Sequence, residues 1–475
     1  MDPFGPPVTD RVSWSIPLLT GGIFGVLSTI ATVGDSDLFW HLAQGRQTLT
    51  EGLVRVDTFS WTVRGSPVLV DQWLGQVVWY GAYATLGWHG IILLRALIVA
   101  GIATLVVAAA LGAQRRPIVA VLASLPAIAL TRYGWTERPQ LIGLLCFAAL
   151  VFILRAADGR PRVLLGLPLL LALWANLHGS YALGLAIAVI GCAELALRRP
   201  ELRRLALVIV AASLFGTLLT PSGIAIWTSA GGHFLSPPRI VLEEGVPDVT
   251  QPYGVLFAFI IVSVLVTALL SRPVSLRDVA LLLPVLFVSL TAARHTPFFG
   301  VASAPYLAAN APDAISTIAA KLRVAVRPLA LATTIPPRRV DLATAALAIA
   351  AIVGAAFVAP GQPNLAPYPD GVLSQLPPGP GVLNEYDWGG FLIWYAPATP
   401  VFIDGRLFPY TGDALRDYET VVSVGPTWRE VLARRGIRAL LLKPGSPLAV
   451  RAHDLRWPVL AESAKYVLFT IPNSR

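Results

Sequence analysis

A chain of 475 residues that is 55% hydrophobic and only 13% charged lies far from the roughly quarter-charged composition of soluble domains, which excludes a wholly soluble protein. The net charge of +9 does not point to a nucleic-acid partner, because much of the excess sits in short Arg-bearing turns between apolar runs, where basic residues set membrane orientation. Cys146 and Cys192 both fall inside apolar runs, so neither a disulfide nor a metal site is expected of them.

Apolar runs recur from Ile16 to Ala359, and at about 17 to 25 residues each is long enough to cross roughly 30 Å of hydrocarbon as helix. The first extends from about Trp14 to Val33. No basic segment or small-residue cleavage site precedes it, so it is expected to stay in the membrane. Directly after it comes Gly34-Asp35-Ser36-Asp37-Leu38-Phe39-Trp40-His41, which opens a polar first loop over residues 34–72. Two carboxylates one residue apart are costly to hold at a bilayer edge without a partner, which makes Asp35 and Asp37 the candidate catalytic groups. Capping is the alternative: Asp and Ser are preferred N-cap residues, and Asp35 with Ser36 suits a helix beginning near Leu38. Capping accounts for one carboxylate and leaves the second unexplained. Leu38 to Thr50 reads as an amphipathic helix, followed by Thr58-Phe-Ser-Trp-Thr-Val and a turn at Gly65-Ser66-Pro67.

The aromatic run Trp73–Trp88 is marginal for a crossing. Were it to cross, Arg115-Arg116, the Arg155 to Arg162 cluster, the Arg198 to Arg204 cluster and the pair Arg272 and Arg277 would all face the side of the acidic loop, against the positive-inside rule. A juxtamembrane or re-entrant helix over residues 73–88 places all of them in the cytoplasm. The later crossings are then expected at His89–Gly112, Pro117–Leu130, Pro139–Ala156, Val163–Asn176, Tyr181–Leu197, Leu205–Leu219, Tyr253–Ser271, Val279–Ala292, Phe298–Ala311 and Leu342–Ala359, about eleven with the first. This topology puts the N-terminus and the basic Lys321–Arg339 loop inside and the C-terminal segment outside, in a cell membrane.

Residues 1–360 thus form a transmembrane module and 361–475 a soluble extracytoplasmic domain. After a Pro/Gly-rich linker, Gly381-Val-Leu-Asn, Pro400-Val-Phe-Ile-Asp, Ala439-Leu-Leu-Leu and Tyr466-Val-Leu-Phe-Thr-Ile read as buried strands and Trp428 to Arg435 as helix. A small α/β domain is expected. On the outer side the topology collects Asp35, Asp37, His41, Asp71, Gln72, Arg132, Glu137, Arg138, Gln140, Asn176, His178, Glu243, Glu244, Asp248, Arg294 and His295. Ionisable groups at membrane boundaries line cavities and pair with one another. Each motif also has a plain conformational account: Pro139 opens a helix after Arg138, His178-Gly179-Ser180 suits a turn, and Arg294 suits interfacial anchoring. The Asp-x-Asp pair has the oxygen ligands for a divalent cation, Mg²⁺ or Mn²⁺; no zinc-type spacing occurs.

A first membrane helix followed at once by Asp35-Ser36-Asp37, a long outer loop with a juxtamembrane helix, many spans and an outer C-terminal domain resembles the GT-C superfamily of membrane glycosyltransferases, which includes oligosaccharyltransferases, protein O-mannosyltransferases and lipid A aminoarabinose transferases. The resemblance covers the architecture to about residue 360, with the motif match confined to the first loop. It implies an inverting glycosyltransferase that takes a polyprenyl-phosphate-linked sugar, with Asp35 or Asp37 as the essential acidic residue and an acceptor glycan, lipid or protein. Arg132, Arg138, Arg294 and His295 are candidates for holding the donor phosphate, since the planar guanidinium binds two phosphate oxygens at once. Asp387-Trp-Gly-Gly390 and Phe402-Ile-Asp-Gly-Arg406 match no accessory domain of that superfamily. A glycan polymerase or ligase shares this chemistry, and a transporter or flippase would instead show internal repeats and broken helices at the bilayer midplane.

Overall fold

A computed structural model describes residues 14–228, 245–271, 274–324, 338–406, 408–410 and 412–472. Two compact units divide the chain, one of Met1–Ala31 with Ile92–Ala359 and one of Thr32–Ile91 with Pro360–Arg475. The first is a helical membrane unit. Among the described residues, six helices of the chain are long and apolar enough to cross a bilayer: Trp73–Ala113, Pro117–Gly134, Pro139–Ala156, Tyr181–Arg198, Pro252–Leu270 and Arg339–Val358. Ser15–Ser28 and Pro161–Leu177 are shorter apolar helices. The chain is therefore a mostly helical membrane protein. Pro117, Pro139 and Pro252 each open a helix, where the missing N–H costs nothing.

Helix α1 covers Ser15–Ser28, five residues short of the expected end at Val33. Its last carbonyls explain the early stop. Thr29, Ile30 and Ala31 close three-residue turns onto Val26, Leu27 and Ser28, and Arg95 donates from Nη2 to Ser28 O at 2.9 Å and Ala31 O at 2.5 Å, satisfying carbonyls that a helix end leaves orphaned. Gly25 lets α1 lie directly on helix Arg338–Val358, because a methyl there would meet Ile352 Cδ1 at 2.7 Å. Small residues permit such close approach of membrane helices. Ser15 Oγ donates to Asp341 Oδ1 at 2.6 Å across the same pair.

The second unit is built on a four-stranded sheet in the order β1-β2-β4-β3. Strands β1 (Val382–Asn384) and β2 (Ala439–Leu442) are parallel; β4 (Val467–Thr470) runs antiparallel to β2 and to β3 (Val459–Glu462). Alternation along β2 and β4 separates two cores. Leu440, Leu442, Val467 and Phe469 face a core with Tyr418, Val431 and Leu448 from three C-terminal helices. Ala439, Leu441 and Leu468 face the other core, which contains Phe39, Trp40 and Ala43. Those three residues belong to α2 (Ser36–Glu51), so the first loop supplies the helix that covers one face of the C-terminal sheet.

Two strand expectations need correction. Pro400 to Asp404 is not a strand: it makes a single parallel bridge, Val401 to Ser60, and turns at Asp404. Strand β3 escaped notice because its residues are largely exposed, and an edge strand carries little apolar signal. The runs expected as Trp73–Trp88 and His89–Gly112 form one helical stretch, α3 (Trp73–Ala113), interrupted at Gly87, whose φ of 60° and ψ of −144° break the helix and suit only glycine.

Candidate active site

The acidic stretch is held at the head of α2. Asp35 is the N-cap, in extended conformation, and its Oδ1 accepts the Asp37 N–H at 2.9 Å. Capping therefore describes Asp35, and it starts the helix two residues before the expected Leu38. Asp37 has a different setting: it is half-exposed, and its Oδ1 accepts Trp40 Nε1–H at 3.0 Å. Trp40 is buried, its ring lying on His41 at 3.5 Å between centroids. His41 is buried too, with Nδ1 3.4 Å from Gln76 Nε2.

Both motifs left unmatched in the C-terminal segment press against this stretch. A methyl at Gly405 would overlap Asp37 Oδ1 and come within 3.3 Å of Trp40 Nε1. One at Gly390 would overlap Ser36 O, and one at Gly389 would overlap Ile403 O. Glycine at these positions lets three backbone segments converge around the Asp37 carboxylate. Tyr386 sits beside them: burial first, and then the Asp37 carboxylate, push its phenol well above the usual range.

Arg406, one residue past Gly405, anchors a buried ionic cluster. Its Nη1 lies 2.7 Å from Asp57 Oδ1, and its Nε and Nη2 reach Asp404 at 2.8 and 2.6 Å. Tyr410 OH donates to Asp404 Oδ2 at 2.5 Å, and Asp57 Oδ2 accepts from Ser60 N–H and Oγ–H. Burial works against the Arg406 charge, and the Asp404 and Asp57 carboxylates outweigh it, so its pKa lies above the ordinary arginine value. The cluster ties Asp57 of the first loop to the Asp404-Gly405-Arg406 turn, and Thr62 Oγ–H adds a bond to Phe402 O at 2.6 Å. Asp57, Gly390, Gly405 and Arg406 were missed as site residues; the Gly-Gly and Asp-Gly-Arg runs were the available signals, but only the fold shows what they touch.

The remaining candidates lie in the membrane unit, apart from Asp71 and Gln72, which line a cleft of the second unit with Trp40. Arg132 is exposed in the turn after helix Pro117–Thr131. Arg138 donates from Nε to Thr136 Oγ at 3.3 Å. Gln140 reaches the Arg294 carbonyl at 3.5 Å, bringing two candidates together, and Arg294 and His295 form the turn before helix Thr296–Leu322. Asn176, inside helix Leu167–Leu177, bonds the Ala172 carbonyl of its own helix and the Leu219 carbonyl of a remote segment at 2.9 Å each; His178 Nδ1 lies 2.9 Å from Ser180 Oγ and Asp248 accepts from Thr250, which are turn-forming roles. Glu137 is buried in an ion pair with Arg95, a residue that sequence inspection passed over although an arginine inside a span is itself a signal. Glu243 and Glu244 lie outside the described residues. No group of three His, Cys, Asp or Glu that could hold a metal occurs among the described residues. A divalent cation at Asp35 and Asp37 would depend on phosphate and water oxygens for its other ligands.

No protein-family model matches the chain, and no curated protein does. Solved structures do. The oligosaccharyltransferase of Archaeoglobus fulgidus, tethered to an acceptor peptide containing the NVT sequon, is similar over 90% of this chain and 69% of its own, with a TM-score of 0.54 at 12% identity. ArnT from Cupriavidus metallidurans is similar over 96% of this chain and 97% of its own in the apo state, with a TM-score of 0.53 at 13% identity. Bound to undecaprenyl phosphate, it is similar over 97% and 98%, with a TM-score of 0.54. At these identities the likeness shows the fold alone, one shared with that oligosaccharyltransferase and with ArnT.

Proposed function

We propose that a chain with this fold transfers a sugar from a polyprenyl-phosphate-linked donor to an acceptor hydroxyl or amide on the outer face of the cell membrane, with inversion at the anomeric carbon. The observation that carries it is Asp37: a half-exposed carboxylate oriented by Trp40 and seated on Gly405, at the head of the helix that follows the first membrane helix. Asp37 acts as general base, taking the acceptor's proton as the acceptor atom attacks C1. The C1–O bond to phosphate breaks, and the polyprenyl phosphate leaves with the electron pair. Asp35 caps α2 and fixes the position of Asp37.

Developing charge on the phosphate needs cationic donors, and exposed Arg132 is the first choice, with Arg138, Arg294 and His295 behind it. The N-terminus is cytoplasmic and the C-terminal segment extracytoplasmic, with about eleven crossings in all. The test is transfer from a panel of polyprenyl-phosphate sugars by detergent-solubilised protein. Asp37→Asn is expected to lower the rate about 10²- to 10⁴-fold and to melt like the wild type. Full transfer by Asp37→Asn would remove the base assignment.

A further inference from the structure

Ion pairs tie three segments that are remote in sequence into one face of the membrane unit. Asp158, in the turn after helix Pro139–Ala156, lies 2.9 Å from Arg198 Nη2 and pairs also with Arg277 Nη1. Arg198 ends helix Tyr181–Arg198 and holds Glu194 one turn back. Arg277 stands at the start of helix Leu276–Thr291, where Asp278 Oδ1 lies 2.7 Å from Arg155 Nη2. Together residues 155–162, 194–204 and 277–278 contain eight arginines and four carboxylates. Arg155, Arg198 and Arg277 occupy three of the four, Asp158, Glu194 and Asp278. Positive charge is therefore left in excess. Arg162, Arg203 and Arg204 are exposed and pair with no carboxylate among the described residues; Arg203 donates only to the Ala196 carbonyl, at 3.4 Å.

Membrane orientation accounts for basic residues in such turns but not for what stands beside them. Arg203 and Arg204 precede Leu207 and Val208 by four residues on helix Arg203–Thr217, a spacing that puts each arginine and apolar residue on the same helix face. Arg162 precedes Leu165 by three in the 3₁₀ helix Pro161–Gly166, where that spacing aligns side chains. Leu165, Leu207 and Val208 are all exposed. Three times over, an unpaired guanidinium adjoins an apolar side chain. A soluble anion would use only the first of these; a phospholipid uses both.

We infer that this face binds the headgroups of anionic phospholipids, with Arg162, Arg203 and Arg204 on the phosphates and Leu165, Leu207 and Val208 against the upper acyl chains. A guanidinium takes two phosphate oxygens at once, and each basic residue close to an anionic lipid surface strengthens attachment about fivefold. The ion pairs around Asp158 keep the three turns together, so that their surplus charge acts on one patch of lipid. The inference rests on the proposed orientation only for the leaflet, which is then the cytoplasmic one, and does not depend on the transferase reading.

The experiment is scintillation-proximity binding of tritiated dioleoylphosphatidylglycerol to the full-length protein in detergent, with unlabelled dioleoylphosphatidylglycerol, dioleoylphosphatidylcholine and inorganic phosphate as competitors. Phosphatidylglycerol is expected to compete about tenfold or more better than either of the others, and binding to weaken as salt rises from about 0.1 to 1 M and the screening length falls from about 10 to 3 Å. The triple variant Arg162→Gln/Arg203→Gln/Arg204→Gln is expected to bind about a hundredfold more weakly, at about fivefold per charge, and to melt like the wild type, because none of the three belongs to the ion pairs. Should it fail to fold, Arg204→Gln alone is read for its fivefold loss. Asp158→Asn, which frees Arg198 and Arg277, is expected to bind more tightly while melting lower, a combination that a merely structural role for these charges would not produce. Equal competition by phosphatidylcholine would show that chains alone are held, and equal competition by inorganic phosphate that the site takes a soluble anion; either result overturns the inference. Undiminished binding by the variant lacking the three arginines would place the lipid elsewhere, and the inference falls.

Discussion

Asp35 and Asp37 differ by one position in sequence and by their entire environment in the structure. Asp35 caps a helix, so Asp35→Ala is expected to cost about 1 kcal/mol of stability and Asp35→Asn only a few tenths, because Asn caps about as well as Asp; thermal melts of the two variants separate these values. A large loss with Asn would show that Asp35 does more than cap. Arg95 and Glu137 are a different residue-scale case. Removing one partner of a buried pair strands the other charge, at a cost of about 3–5 kcal/mol, whereas replacing both with apolar residues is often nearly neutral. Arg95→Met is therefore expected to melt well below the double variant Arg95→Met/Glu137→Leu, since both lose the bonds to the α1 carbonyls and only the single variant strands the Glu137 charge. Asp417 adds a pH test. Burial opposes its charge, and Arg435 and Arg434 outweigh burial, so its folded pKa lies below the ordinary value. A depressed carboxylate contributes stability above its unfolded pKa, about 3.9, and loses that contribution as pH falls through the folded value. Wild type should therefore be more stable than Asp417→Asn at pH 7, with the difference shrinking below pH about 4; a constant gap in pH-dependent melts would contradict the assignment.

At the scale of elements, α2 shows why an amphipathic helix after a membrane span is more than a surface feature. Phe39, Trp40 and Ala43 close one face of the C-terminal sheet, while Asp37 meets the turn at Gly405. Adding a methyl at Gly405 requires that backbone or the Asp37 carboxylate to move, at a cost of about 1–3 kcal/mol of the overpacking kind. Gly405→Ala is expected to raise hydrogen exchange in peptides spanning residues 35–41 while leaving β2 and β4 protected. Unchanged exchange at 35–41 would show that the close approach does not hold the stretch. The amphipathic pattern of residues 38–50 was legible in sequence; its partner was not, because the covering strands lie more than three hundred residues away.

At the scale of the whole molecule, orientation is the decisive measurement. Ser374 and Lys321 are both exposed, and the native cysteines are buried. In a cysteine-free background, Ser374→Cys should label from outside intact cells with an impermeant maleimide, and Lys321→Cys only after permeabilisation; the reverse pattern would invert the topology and the proposed face of catalysis. What the sequence determined by itself follows from local physics. Hydropathy over a helix length marks spans because unpaired backbone cannot exist in lipid, and buried strands such as β1, β2 and β4 show as short apolar runs. The exposed strand β3 shows no such run. Only the tertiary structure decided that the first loop and the tail form one compact unit, that Glu137 meets Arg95, and that Asp-Gly-Arg and Gly-Gly motifs close on Asp37. Such contacts depend on complementarity between segments remote in the chain, and the periodicity of a single segment carries no record of which partner fills the space its glycines leave open.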